Sequence, residues 1–258
     1  MNNSYCSSVK KRFLKRSLQL ITYLVFTAAL LRAQSPTEQV WFEYMLNYPF
    51  AKKFNLENAF TYSTLISKPR WWALDYAPTL EYALSPRIDL MAASTFSYTL
   101  QSEDYNSFEI RPMLGTKIHI TPYRRINLRL LLRFEMRNIK NLETKEWQTT
   151  FRPRSRGELL VPFNQRSMSA DKLWYGLADV EWFFAIEDVE ERFANRFRVR
   201  AGLGYRVNYG SRFEFIYTLQ KSKNSIDDDF YTADNIFRFR YKHYLRKHKP
   251  TTSSGTGN

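Results

Sequence analysis

At 258 residues, with 39 lysines and arginines against 25 aspartates and glutamates, the chain carries a formal charge of +14, and 44% of it is hydrophobic. The length admits one large domain or two small ones, and the uniform patterning described below favours one. Nucleic acid is excluded as a partner, because the arginines recur at every second position in strands instead of clustering with a recognition helix or zinc ligands.

Residues 1–33 read as a secretory signal peptide. Lys10, Lys11, Arg12, Lys15 and Arg16 precede an apolar run over 17–31, followed by Arg32, Ala33 and Gln34. That order of charged region, apolar region and small residue marks a segment removed on export. Cleavage is expected after Ala33, although Leu31 and Arg32 fit a small-x-small site poorly. The run falls short of the ~20 apolar residues of a spanning helix, which argues against a signal anchor. Six of the 39 bases and none of the 25 acids leave with it, so the mature chain carries 33 against 25, or +8. The only cysteine, Cys6, leaves too, and no disulfide, thiol nucleophile or cysteine-bound metal is expected.

From residue 34 to 245 the chain is a succession of segments with period two, the signature of β-strands. In 39–47, Val40, Phe42, Tyr44 and Leu46 alternate with Trp41, Glu43 and Met45; a short turn at 49–53 leads into 54–65. After a loop at 67–69, Leu74, Tyr76, Leu80 and Tyr82 oppose Asp75, Thr79 and Glu81. Pro86 and Arg87 turn the chain into 88–101, where Leu90, Phe96 and Tyr98 oppose Asp89, Thr95 and Ser97. In the next segment Phe108, Ile110, Leu114 and Ile118 face away from Glu109, Arg111, Lys117 and His119.

In 126–137, Leu128, Leu130, Leu132 and Phe134 oppose Arg129, Arg133, Glu135 and Arg137, with Leu131 the one apolar residue on the polar face. Arg152, Arg154, Arg156 and Glu158 share a face of 149–161; Pro153 lacks a donor and marks this strand as a weak one, suited to an edge or a bulge. In 173–186, Trp174, Val180, Trp182 and Phe184 oppose Tyr175, Asp179 and Glu181. The pair 196–207 and 212–220 reads as a hairpin, with Phe197, Val199, Leu203, Phe213 and Phe215 on one face and Arg198, Arg200, Arg206 and Glu214 on the other. The last segment, 235–245, sets Phe237, Phe239 and Tyr241 against Arg238, Arg240 and Lys242. The tail 246–258, basic and then rich in Ser, Thr and Gly, is expected to be disordered.

Alternation alone also fits a soluble periplasmic sandwich or a lipocalin-like barrel. Three features favour a closed antiparallel up-and-down transmembrane β-barrel. The segments run to roughly 10 to 13 residues, near the ~9 to 11 of a tilted membrane strand. Tight turns alternate with longer polar loops, and aromatic residues gather near segment ends, as at a membrane interface. An open sheet edge in hydrocarbon is prohibitive, so the sheet closes, apolar outside and charged inside. Eleven segments are visible, but single-chain bacterial barrels carry even numbers, so ten or twelve strands are expected, with 39–47 outside the barrel or one strand unseen.

The strings VWFEYMLNYPFAKKFNLENAFTY, RINLRLLLRFEMR, LADVEWFF and NRFRVRAGLGYRVNYGSRFEFIYTLQ together resemble domain of unknown function 2490. The resemblance covers nearly all of the mature chain. It implies an exported protein of a Gram-negative outer membrane with a barrel fold, and it implies no activity.

The residues on which function would rest are the inward charges Arg129, Arg133, Glu135, Arg137, Arg152, Arg154, Arg156, Glu158, Glu181, Arg198, Arg200, Arg206, Glu214, Arg238 and Arg240. Their expected role is structural: arginines and carboxylates pair and fill an interior little wider than its side chains. The alternative is a narrow, porin-like conduit for a small anionic or polar solute, since inward bases outnumber inward acids. An enzyme is not expected. His119 is the one inward histidine and has no serine motif beside it, so a lipid hydrolase or acyltransferase lacks its nucleophile. Asp227, Asp228 and Asp229 read as a solvated acidic loop, with calcium the sharper option. No cofactor is expected. The expected partners are outer-membrane lipid and the barrel-assembly machinery, whose aromatic terminal signal Phe237, Phe239 and Tyr241 resemble.

Overall fold

The alternating segments are strands of one barrel. The computed structural model describes residues 37–66, 71–100, 106–122, 125–184, 196–223 and 230–245. Among them are eleven strands and no helix: β1 (Thr37–Tyr48), β2 (Phe54–Leu65), β3 (Trp72–Ser85), β4 (Ile88–Leu100), β5 (Ser107–His119), β6 (Asn127–Asn141), β7 (Trp147–Pro162), β8 (Leu173–Phe183), β9 (Arg196–Asn208), β10 (Ser211–Lys223) and β11 (Phe230–Tyr244). The expected signal peptide, the tail 246–258 and Asp227, Asp228 and Asp229 lie outside the described residues.

Each strand pairs antiparallel with its neighbours in sequence, and β1 closes the ring against β11. The count corrects the expectation of ten or twelve. Residues 39–47 belong inside the barrel, and every described strand was among the eleven segments. An odd number of up-and-down strands leaves the first and last pointing the same way, so the closure is a parallel ladder, with Val40 opposite Phe237 and Tyr44 opposite Tyr241. Parallel pairing satisfies the backbone with slanted instead of perpendicular bonds, so an even number is not a requirement of closure.

The register fixes the girth. Pro162 of β7 lies opposite Tyr175 of β8, which lies opposite Gly204 of β9 and so on through Glu214, Arg240, Glu43, Thr61, Asp75, Ser97, Glu109 and Ile139, until the path returns to β7 at Gln148. The shift from 162 to 148 is 14 residues. For eleven strands this gives a tilt of roughly 45° and a backbone diameter of about 22 Å.

Four prolines lie in strands: Pro162 is the last residue of β7, and the other three sit where a ladder is interrupted or ends. Pro153 does not make β7 an edge: the strand pairs with β6 on one side and β8 on the other. It lies one position beyond the last β7–β8 pair, Arg154 with Phe183, and its carbonyl accepts the Phe184 N–H at 3.0 Å. The missing donor therefore falls at the last rung of that ladder, where it removes only the bond reciprocal to the Phe184 one. Pro78 falls in a gap of the β3–β4 ladder and Pro112 in a gap of the β5–β6 ladder.

Burial follows the two-residue period. In β8 the odd positions Leu173, Tyr175, Leu177, Asp179, Glu181 and Phe183 are all buried, while Trp174, Ala178 and Trp182 are exposed. Around the ring the exposed set is apolar, as with Phe42, Phe60, Leu74, Leu132, Phe134, Phe213 and Phe239, and Leu114 reaches 67% exposure. The buried set is largely polar. Outside, rings stack from strand to strand through Phe213, Tyr241, Tyr44, Phe60, Tyr76 and Phe96, with centroids 4.7 to 6.4 Å apart. This row crosses the parallel closure, where Phe42 also stacks on Phe239.

Candidate functional site

Among the described residues, chemistry-bearing side chains converge in the barrel interior, each delivered by the alternation of its strand. At its centre is Glu181 on β8, with no exposed surface. It accepts hydrogen bonds from Arg154 of β7 at 2.7 Å, from Arg200 of β9 at 3.3 Å, and from Arg133 of β6. Arg154 also donates to Glu135, which accepts from Arg152 at 2.9 Å, and Arg200 donates to Asp179 at 2.5 Å. The ring of Phe183 lies against the guanidinium planes of Arg152, Arg154 and Arg198 at 4.3 to 4.9 Å. Arginine suits these positions because a planar fork of five donors serves two carboxylates and a ring face together.

Two smaller clusters flank the centre. Glu109 is gripped by Arg111, at 2.7 and 2.8 Å, and by Arg137, at 2.7 and 3.2 Å. Glu158 pairs with Arg129 and with Arg156. At the closure, Glu43 of β1 accepts from Arg240 at 2.5 Å and Arg238 at 3.4 Å. Arg240 also donates to Glu214 at 2.9 Å; Glu214 further accepts the Tyr175 hydroxyl at 2.6 Å and pairs with Lys242 at 3.1 Å. Toward the β10–β11 connection a relay crosses the same seam: Trp41 donates to Gln39, Gln39 and Gln220 donate to Asp234, and Arg198 donates to Gln220.

Fourteen of the fifteen residues singled out from sequence thus enter these clusters. Arg206 does not: it reaches the turn between β7 and β8, donating to the Met168 carbonyl at 3.1 Å and to Asp171. Near that turn the interior is apolar, with Leu173, Tyr175, Leu177 and Ile216 packed with Leu160 and Met168. Gly204 makes room for this packing, since a Cβ there would run into the Tyr175 ring.

Sequence reasoning left out Glu43, although the alternation of 39–47 already put it on the face opposite Phe42. It also did not foresee Phe183 as an interior stacking ring. His119 is paired through Nε2 to Asp89 at 2.7 Å, and the neighbouring inward pair is Lys117 with Glu81. Among the described residues no group of three or more His, Cys, Asp or Glu is arranged to hold a metal ion.

A closed barrel with ion pairs inside and aromatic rings outside is an inverted barrel, polar where a soluble barrel is apolar. A family model described as protein of unknown function (DUF2490) matches residues 38–232, from β1 into β11, and the chain belongs to that family. A search of curated proteins gave no match.

Proposed function

We propose that this chain is an integral outer-membrane β-barrel, exported by a cleaved signal peptide and inserted by the barrel-assembly machinery, whose interior is filled by its ion-pair network. The observation that carries the proposal is the inversion of burial: Phe42, Leu132, Trp174 and Phe239 are exposed while Glu135, Arg154, Glu181 and Arg200 are at most 8% exposed. In water, that exterior would leave an apolar surface far beyond the few hundred Å² that soluble monomers expose; in a bilayer it is the required surface. Side chains lining a water-filled pore would be wetted, so burial of the central carboxylates and guanidiniums supports a plug. On this reading the interior is a scaffold, His119 is part of its packing, and any ligand would meet the connections outside it.

The alternative is a narrow conduit for small anions. It is favoured by one feature of the network: the ion pairs named above join residues of the same, adjacent or next-but-one strands, along the wall. Conductance of the folded protein in a planar bilayer under a salt gradient separates the two. Silence from protein shown to be inserted fits the filled barrel, and discrete anion-preferring steps would replace it with the conduit.

A further inference from the structure

The two ends of the barrel differ in charge. Five connections, residues 49–53, 86–87, 120–126, 163–172 and 209–210, join strands at one end and hold seven bases and a single acid, Asp171. The five at the other end, residues 66–71, 101–106, 142–146, 184–195 and 224–229, hold four bases and eleven acids in their sequence.

At the basic end Lys52, Lys53, Arg87, Arg125, Arg166 and Lys172 are all exposed. Asp171 does not offset them, because it pairs with Arg206 from the interior at 3.4 Å. Below the bases runs an aromatic chain, Tyr48 stacked on Phe50 at 6.1 Å, Phe50 stacked on Phe54 at 5.7 Å and Phe54 tilted against Tyr82 at 4.8 Å, with the Lys53 ammonium over the Tyr82 ring. Arg125 is tied to the neighbouring turn by donating to the Pro162 and Phe163 carbonyls. Rings of this kind sit at headgroup depth, and exposed bases just beyond them lie in the plane of lipid phosphates.

Building on the outer-membrane reading above, we infer that this end docks on anionic glycerophospholipid, the bases holding headgroup phosphates while the aromatic chain packs on the glycerol and upper acyl region. Phospholipid is chosen over the phosphates of lipid A because tight turns face the periplasm in outer-membrane barrels, and two of these connections are only two residues long. The acidic connections at the other end repel the same headgroups, so the contact is one-sided.

The test uses the mature protein and the variant K52Q/K53Q/R125Q/R166Q/K172Q. Both are inserted into phosphatidylcholine vesicles, which requires no anionic lipid; both are then transferred to micelles with equal phosphatidylcholine and phosphatidylglycerol, and the lipid retained is counted by native mass spectrometry. The wild type is expected to retain phosphatidylglycerol roughly tenfold over phosphatidylcholine, with the ratio falling toward one in the variant and at high salt. Equal retention by inserted wild-type protein, or a variant that keeps the preference, overturns the inference alone. Preferential retention of lipid A over phosphatidylglycerol overturns the choice of phospholipid. Failure of the wild type to insert into any vesicle overturns the outer-membrane reading, and this inference with it.

Discussion

The wall made by β6 to β9 and the wall made by β2 to β4 face each other across the barrel and are built from opposite materials. The first turns inward Arg133, Glu135, Arg152, Arg154, Glu181 and Arg200. The second turns inward Ala59, Thr61, Ser63, Ala73, Thr79 and Ser97, with acids at Glu57, Asp75 and Glu81. A barrel about 22 Å across at the backbone does not hold long side chains on every wall. Long guanidiniums on one side and short side chains on the other fill it without collision. The difference teaches that the charged wall is where losing a single partner costs most, and the small wall is what gives its side chains room.

The largest expected effect is on the charged wall. Glu181→Ala leaves Arg133, Arg154 and Arg200 buried around an absent carboxylate and should cost about 3 to 5 kcal/mol in urea unfolding from vesicles. Thr79→Ala on the small wall removes no charge and should cost less than about 1 kcal/mol in the same assay. Leu132→Arg, on the outer face of β6, should cost roughly 2 to 4 kcal/mol in a bilayer; no loss there would break the inside-to-outside contrast itself.

Volume is tested next. Ser97→Phe inserts a ring where the arginine wall needs room and should cost about 1 to 3 kcal/mol by overpacking, whereas a water-filled lumen would accept it. Glu43→Gln keeps an acceptor at the closure, and Arg240 keeps Glu214, so about 1 to 2 kcal/mol is expected from the lost charge. The smallest effect is Gly157→Ala, since a Cβ there meets nothing within 4 Å; stability should stay within about 0.5 kcal/mol.

What was legible in the sequence is what a strand states locally. Period two assigned Arg152, Arg154, Glu181 and Arg200 to one face and Phe134, Trp182 and Phe213 to the other, because neighbours in sequence alone decide which way a side chain points. Closure is not local. The pairing of Val40 with Phe237 joins the two ends of the fold, and a rule of even strand numbers outweighed the eleven segments in plain view. That rule left open whether 39–47 lay outside the barrel or a strand was unseen, and Glu43, the carboxylate that holds Arg238 and Arg240 at the seam, stayed out of the inward set. Pro153 misled in a related way: the residue signals a missing donor, but where a ladder ends depends on the neighbouring strand, and the β7–β8 ladder ends at Pro153, whose carbonyl still accepts the Phe184 N–H. The apolar packing of Leu173, Leu177 and Ile216 under a turn was likewise invisible, since it joins β8 to β10 through space.

Leu131 and Leu132 are adjacent on β6, one buried inside and the other exposed outside. Nitroxide labels at Leu131→Cys and Leu132→Cys of the mature protein, which has no other cysteine, in reconstituted vesicles, test the account most directly through collision with lipid-soluble oxygen and with a water-soluble nickel chelate. A filled barrel in a membrane predicts that the label at 132 meets oxygen and not nickel, and that the label at 131 meets neither to any extent. Nickel access at 131 would contradict the filled interior, and nickel access at 132 would contradict the membrane itself.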